Sequence, residues 1–319
     1  MASTTPVPLL IVVLNYRTAA LTVDCLRSLV DEVPTVPGTR VIVVDNASGD
    51  GSAGTIGAAI AGNGWGGWAE LVESDRNRGF AGGNNVGIAR GEPARYVLLL
   101  NSDTIVQPGC LRHCMEVMEA SPRVGALSCC LLNQDGSLQN TARRFPTPLR
   151  MTCAALGLPR RFPRLFGWAD TEDPGWDRGA VSRDVDWLGG AFLWVRSEAL
   201  GGTVRLDEDF FFYGEDIEFS HRIRRRGFTC RYDAVSRTVH LGGASSDPTR
   251  LPSSERSVHQ WRARYLVQRK CYGILASLWT RAVDVTFTAL RLIAAPLRRV
   301  PAERRAELKA QLSMMLRRL

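Results

Sequence analysis

Tyr96-Val97-Leu98-Leu99-Leu100-Asn101-Ser102-Asp103 decides the architecture of this chain. Five apolar residues run without alternation and stop at Asn-Ser-Asp. Such a run, bounded by polar turn residues, predicts a strand buried on both faces, as in a parallel sheet. Open α/β sheets take ligands just beyond the carboxyl ends of their strands, so Asp103 is expected at the rim of a cleft. A carboxylate there, two residues after Asn101, has the chemistry of a ligand for Mg²⁺ or Mn²⁺ carrying a substrate diphosphate. A strand that merely ends in a polar turn looks the same in isolation, so the neighbouring stretches decide.

Leu9 to Leu14 is a second unbroken apolar run and ends at Asn15-Tyr16. Thr18 is then expected to cap a helix with Leu21, Cys25, Leu26 and Leu29 on one face. Val41 to Val44 predicts another buried strand, ending at Asp45-Asn46 and followed by the flexible Ala47 to Gly51. Ala69 to Val72 is a shorter one that leads into Asp75-Arg76-Asn77-Arg78-Gly79-Phe80 and Ala81-Gly82-Gly83-Asn84-Asn85, with a helix expected through Ala89. Strands alternating with helices imply parallel pairing and right-handed crossovers, a doubly wound α/β domain. Neither G-x-G-x-x-G nor a Walker A loop follows the first strand, which excludes an ordinary dinucleotide or P-loop enzyme.

Beyond Asp103 the pattern predicts a helix from Pro108 to Ala120, a strand from Val124 to Ser128, and a hairpin turn at Asn133-Gln134-Asp135-Gly136-Ser137. Residues 145–180, rich in Pro, Gly, Arg and Trp, are expected to form a long, partly mobile loop over one face of the sheet. Order returns at Asp186 to Val195, where Gly189-Gly190 permits a close backbone approach or a sharp bend. Phe210-Phe211-Phe212-Tyr213 leads to Glu215-Asp216 and a helix that Gly227 stops. Strands at 229–233 and 238–240 are expected to close the domain.

The 319 residues accommodate one large α/β domain with an appendage. The expected division is residues 1–250, with a ligand-binding half at 7–105 and a catalytic half at 106–250, and a helical tail at 251–319. From Glu255 to Leu319, 14 Lys/Arg face four acids, a net +10, while the other 254 residues carry −2. A near-neutral body argues against nucleic-acid binding, and a basic tail argues for contact with an anionic surface, though a dimer contact would use the same features. Ile274 to Leu297 is interrupted by Arg281, Asp284 and Arg291, which favours an interfacial amphipathic helix over a membrane span. The start, Met1-Ala2-Ser3-Thr4-Thr5, lacks the basic region of a signal peptide. Eight cysteines without a C-x-x-C pair are expected to be buried, reduced thiols, as in a cytoplasmic protein.

Three acidic groups are expected on one rim: Asp45, Asp103 and the Glu215-Asp216 pair. Asp45 can accept the N3–H of a uracil or thymine, or cap the following helix. Arg76 or Arg78 can stack on a base or offset phosphate charge. Glu215-Asp216 follows four aromatics; a carboxylate in a partly apolar pocket has a raised pKa and can take a proton from a sugar hydroxyl. His240, one of four histidines, ends a late strand and can serve as a second metal ligand beside Asp103.

The ordered set Val43 to Ser48, Asn77 to Asn85, Leu99 to Asp103, Trp187 to Ala191, Glu215-Asp216 and His240 resembles the family 2 inverting glycosyltransferases of GT-A fold. Asp135-Gly136-Ser137-Leu138 followed by Ala142-Arg143-Arg144-Phe145-Pro146 resembles the bacterial rhamnosyltransferase branch. The resemblance covers residues 7–245. It implies a nucleotide-diphospho-sugar donor, dTDP-L-rhamnose first among candidates, held by Asn15, Asp45, Arg76, Asn77, Gly79, Asn84, Asn101 and Asp103. It implies Asp103 and His240 at a Mg²⁺ or Mn²⁺ ion, with Asn101 in place of the first Asp of the usual D-x-D motif. It also implies Asp216 as general base with Glu215 beside it, and Trp187, Gly189 and Gly190 on the side of a lipid-linked or glycan acceptor. The matching location is peripheral, at the inner face of the plasma membrane. A nucleotidyltransferase and a non-catalytic sugar-nucleotide-binding scaffold are the alternatives. The first would show a Gly-rich basic loop where Asn15-Tyr16-Arg17-Thr18 stands; the second would show a degenerate set of acids.

Overall fold

Four apolar runs in the first hundred residues become β1 (Val7–Asn15), β2 (Arg40–Asp45), β3 (Ala69–Glu73) and β4 (Ala94–Asn101). They pair in parallel in the order β3-β2-β1-β4. The computed structural model of the chain describes residues 6–91, 93–171, 181–242, 253–296 and 299–316. Helices α1 (Ala19–Leu29), α2 (Ser52–Gly62) and α3 (Gly79–Gly91) make the crossovers. Alternation absent from the sequence exists in space: Leu9, Ile11 and Val13 pack into one core cluster, Leu10 and Val12 into another. Covering both sheet faces is what lets every residue of such a strand be apolar.

Two local expectations change. Thr18 does not cap α1 through its side chain; its hydroxyl donates to Asn15 Oδ1 at 2.9 Å and lies 3.0 Å from Ser102 Oγ. Residues 81–85 are not a loop before the third helix but its second turn. Gly83, Gly87 and Gly91 face β1 at four-residue spacing, where an added Cβ would lie 2.5, 2.5 and 2.3 Å from Leu14, Val12 and Leu10. This glycine stripe lets α3 lie directly on the strand.

β5 (Thr104–Val106), α4 (Cys110–Ala120), β6 (Val124–Leu132) and β7 (Ala142–Arg143) follow. The turn after β6 forms as expected, with Asn133 N donating to Ser137 O at 2.7 Å and Gly136 at φ 80°. The expected loop at 145–180 is overturned. Its described part folds into α5 (Pro148–Ala155), α6 (Leu158–Arg161) and α7 (Pro163–Phe166), each with proline in its first turn. Residues 172–180 lie outside the described residues.

β8 (Arg183–Val185), β9 (Trp187–Leu188), β10 (Phe192–Arg196), α8 (Glu215–Arg225) and β11 (Thr229–His240) complete the sheet unit. β10 runs antiparallel to both β4 and β6 and is inserted between them. β11 pairs in parallel with β6 and antiparallel with β5 and β8. It is one strand where two were expected: the ladder shifts between Tyr232 and Arg237, because the Asp233 carboxylate accepts from Ser236 N at 2.7 Å and turns the extra residues out. Among the described residues none of the eight cysteines is in a disulfide, and seven are buried.

Contacts divide the chain into two units, Met1–Arg143 with Asp173–Leu251, and Arg144–Glu172 with Pro252–Leu319. The second holds α5 to α7 together with α9 (Ser253–Tyr272), α10 (Ile274–Ala294) and α11 (Ala302–Leu316). The unit therefore takes in residues 144–172 as well as the tail expected from residue 251 onward. Arg264 on α9 grips Asp284 on α10 with two bonds, of 2.7 and 2.8 Å. Among the described residues, no helix is long and apolar enough to cross a membrane.

Candidate active site

The parallel register sets Asn15 beside Asp45 and Leu14 beside Asn101, so three strand ends meet at one edge. Asn15 is wholly buried and saturated. Its Nδ2 donates to Asp45 Oδ1 at 2.6 Å and to Ser48 Oγ at 3.1 Å, while its Oδ1 accepts from Thr18 and Thr22. It is thus a hub that fixes the edge. Asp45 Oδ2 accepts from Ser48 N at 3.1 Å; a carboxylate oxygen has a second lone pair, which remains for a ligand donor. The expected helix-capping use of Asp45 is not seen, since α2 is preceded by Gly51.

In front of this edge is a cleft of about 710 Å³, counted out to open solvent, with walls that include Tyr16, Asn77, Gly79, Phe80, Asn101 and Phe211. Gly79 makes its corner. At φ +69° it lies so close to Phe211 that an added Cβ would sit 2.1 Å from the Phe211 carbonyl oxygen, and Phe80 N donates to that oxygen at 2.8 Å. Asn77 Oδ1 accepts from Gly79 N at 2.9 Å and from Asn46 Nδ2 at 3.0 Å. Of the residues expected at the donor, Asn77, Gly79 and Asn101 line the cleft, while Asn15, Asp45, Arg76, Asn84 and Asp103 lie outside that lining. Asn84 is buried and donates back to Phe80 O within α3, and Arg76 is exposed. Arg78 pairs with Asp75 at 2.8 Å.

β5 pairs with the end of β11, setting His240 opposite Thr104. His240 Nε2 lies 3.3 Å from Asp103 Oδ1 and 3.4 Å from Asn101 Nδ2. The other ring nitrogen, Nδ1, lies 2.8 Å from Gln139 Oε1. Gln139 is oriented by its own amide nitrogen, which donates to His240 O at 2.6 Å and to Asn133 Oδ1 at 2.7 Å. An amide oxygen only accepts, so Nδ1 carries a proton, and Nε2 is the ring nitrogen left to face Asp103 and to serve as a ligand. Asp103 Oδ1 is buried with no hydrogen-bond partner. An orphaned carboxylate oxygen 3.3 Å from an imidazole nitrogen is a donor set that fits a divalent cation, and an outer amide that orients the ring is its usual support.

At the other wall, Tyr213 and Gly214 sit at φ 71° and 88°, two successive left-handed residues that throw the chain into α8. Glu215 and Asp216 open that helix. Burial, with Asp216 adding to it, pushes the Glu215 carboxyl up to about 8, and its Oε2 has no hydrogen-bond partner. Burial also raises Asp216, to about 6; the Ile217 and Gly190 N–H groups and the Arg143 guanidinium hold it lower than Glu215. At neutral pH Asp216 is therefore mostly ionised and Glu215 protonated. The Arg143 guanidinium lies 5.7 Å from the Trp187 ring centroid, and Gly189 N donates to Thr141 O at 3.1 Å. A Cβ on Gly190 would lie 3.2 Å from the Phe80 ring, a wall of the cleft. The structure thus links this stretch to the acidic pair through the Gly190 N–H on Asp216 and through Arg143, which lies over the Trp187 ring and whose charge also acts on that carboxylate.

Gln139 and Arg143 were not among the residues singled out from the sequence. Arg143 lies in Ala142 to Pro146, a motif that carried no role, whereas Gln139 falls in the gap after Asp135 to Leu138 and carried no signal. Tyr16, Phe80 and Phe211 were likewise missed, because aromatic residues near strand ends usually read as core.

The description of Glycosyl transferase family 2 fits residues 10–170. The chain is 27% identical over 232 residues to an N-acetylglucosaminyl-diphospho-decaprenol L-rhamnosyltransferase of Mycobacterium tuberculosis, covering 69% of this chain and 71% of that protein. It is 27% identical over 226 residues to the low-salt glycan biosynthesis hexosyltransferase Agl10 of Haloferax volcanii, covering 70% and 65%. Among solved structures, the mannosyltransferase PcManGT of Pyrobaculum calidifontis, in complex with GDP-Man and Mn²⁺, aligns with a TM-score of 0.55 at 18% identity, covering 98% of this chain and 85% of that one. S. aureus TarS 1–349 aligns with a TM-score of 0.55 at 13% identity, covering 97% and 80%.

Proposed function

This chain belongs to glycosyl transferase family 2, and on that premise we propose that it is an inverting rhamnosyltransferase. Its donor in this reading is dTDP-L-rhamnose and its acceptor a lipid-linked sugar or growing glycan at a membrane surface. The observation that carries the reading is a pair of unlike acidic sites, each adjoining a residue of the cleft wall: Asp103 beside His240, whose Nε2 is 3.4 Å from Asn101, and the buried Glu215-Asp216 pair beside Gly190, which lies against Phe80.

In this reading the nucleotide lies in the cleft between Tyr16, Asn77 and Phe211, and the free lone pair of Asp45 accepts the N3–H of the base. Asp103 and His240 would hold Mg²⁺ or Mn²⁺; when bound, the ion offsets the charge that builds on the leaving nucleoside diphosphate. Asp216, ionised at neutral pH, takes the proton of the acceptor hydroxyl as its oxygen attacks the anomeric carbon. The carbon–oxygen bond to the diphosphate breaks on the opposite face, so configuration inverts. Glu215, still protonated, donates to the acceptor and keeps a second negative charge away from the base. Trp187 with Gly189 and Gly190 supports the acceptor side. The rhamnosyl donor and the lipid acceptor are supported by the name of the mycobacterial relative, and the metal by the Mn²⁺ in the archaeal mannosyltransferase complex. A peripheral position at the inner face of the plasma membrane follows from the acceptor.

Thermal stabilisation by a panel of nucleotide sugars, with and without Mn²⁺, tests this without an acceptor. A metal-assisted shift with dTDP-rhamnose, lost in Asp45→Ala and Asp103→Ala, is the expected result. A shift with UDP- or GDP-sugars alone would move the donor, and no shift with any nucleotide sugar would remove the assigned site.

A further inference from the structure

α10 is inside out. The side it turns inward carries Thr280, Asp284 and Thr288, all buried and spaced four residues apart. These polar residues are accommodated because Arg264 reaches Asp284 from α9 with two bonds, of 2.7 and 2.8 Å. The opposite side carries Leu275, Leu278, Trp279, Leu290 and Ile293, exposed by 78, 54, 56, 51 and 73%. At 100° per residue these fall on one stripe, completed by the exposed Ala282 and Thr286. An exposed apolar stripe along a 21-residue helix spans about 30 Å and marks a contact surface.

Charge selects the occupant. The unit that contains α10 holds 19 Lys/Arg against six Asp/Glu, a net +13, while the sheet unit carries −5. Two copies of a +13 unit brought face to face would repel, whereas an anionic bilayer attracts such a unit and takes up its apolar stripe. The same unit presents Phe162, Leu165 and Trp168, exposed by 45, 71 and 47%, beside the exposed Arg160, Arg161 and Arg164. Aromatic and aliphatic side chains set among arginines are the composition of an interfacial anchor.

We propose that the outer stripe of α10, in a unit that also carries the exposed arginines of α6 and α7, is a docking surface that lies in the headgroup region of an anionic membrane. This deepens the reading of a membrane-held acceptor and rests on it for its purpose; the surface itself rests on exposure and charge.

The test is flotation of the full chain with vesicles of phosphatidylcholine alone and with added phosphatidylglycerol. Binding is expected only with the anionic lipid. The variant Leu275→Gln with Leu290→Gln and Ile293→Gln should lower partitioning by about tenfold or more. Quenching by brominated acyl chains should fall selectively in Trp279→Phe. Since the three side chains are exposed, thermal midpoint and nucleotide-sugar stabilisation should stay as in the wild type. Absence of flotation with anionic vesicles, or flotation that the triple variant leaves intact, overturns the proposal. So does a wild-type dimer in sedimentation that the triple variant turns into a monomer, since a second copy would then cover the stripe. The two readings fail separately: nucleotide-sugar stabilisation without flotation removes only the docking surface, and flotation without such stabilisation removes only the transferase assignment.

Discussion

One proton is unevenly divided between Glu215 and Asp216, whose carboxyls are pushed to about 8 and about 6. If Asp216 is the base and Glu215 must keep its proton, kcat/KM should rise with pH through about 6 and fall again through about 8. Asp216→Asn should lower kcat by about 10²–10⁴-fold while leaving donor stabilisation in place; a variant with wild-type turnover would remove the base assignment. Glu215 makes a separate prediction about stability. Its carboxyl binds a proton more tightly folded than unfolded, so its contribution is full below about 4.5 and is lost as pH climbs to about 8. Glu215→Gln should therefore flatten the decline in thermal midpoint between pH 5 and 8, which scanning calorimetry at several pH values would register. Gln139 acts at one remove, through His240. Gln139→Leu should weaken Mn²⁺ binding by about 10–100-fold in an electron paramagnetic resonance titration, and Gln139→Glu, which can still accept from Nδ1–H, should restore it. Equal Mn²⁺ affinity in wild type and Gln139→Leu would make the contact merely structural. Asp103, Glu215, Asp216 and His240 could be singled out because they recur in an ordered set of motifs at strand ends and a helix start, not because such acids are unusual there. Gln139 and Arg143 were not, because their roles depend on which side chain the fold brings opposite them.

At the scale of elements, Gly79 at the head of α3 is the most constrained position in the site. Gly79→Ala would place a carbon 2.1 Å from the Phe211 oxygen, so it should destabilise by more than about 1 kcal/mol in urea denaturation and abolish nucleotide-sugar stabilisation. Gly136→Ala is the control: φ is +80° but the space is open, so a cost of about 1 kcal/mol with donor binding intact is expected. If both variants bind donor alike, Gly79 does not shape the cleft. β1 to β4 were readable because burial on both faces leaves unbroken apolar runs. The direction of β10 was not, since Phe192 to Val195 is as apolar as a parallel strand. α5 to α7 were hidden by prolines that stand in first turns, where the ring is harmless, and not inside the helices. The amphipathic character of α10 was visible, but which face points outward was decided by Arg264, twenty residues earlier.

The whole molecule segregates charge, −5 on the sheet unit and +13 on the helical unit. Electrostatic attraction between a basic unit and anionic lipid is screened at high ionic strength. Vesicle flotation should therefore weaken from 0.1 to 0.5 M salt, while nucleotide-sugar stabilisation in the cleft changes much less. Salt-independent flotation would assign the contact to the apolar stripe alone.

The position of β10 also has a bearing on how the chain is made. β4 ends at Asn101, yet the strand that covers its open side begins only at Phe192. During synthesis the ribosome needs on the order of ten seconds to add the intervening residues. Throughout that interval Tyr96 to Leu100 present an unpaired, wholly apolar edge, the kind that pairs with strangers. Nascent chains stalled before residue 192 should be more dependent on chaperones than chains in which β10 has emerged, and the dependence should end only once β11 has covered β6. The strand that buries the middle of the sheet thus also ends the longest exposure the newborn parallel half has to its neighbours.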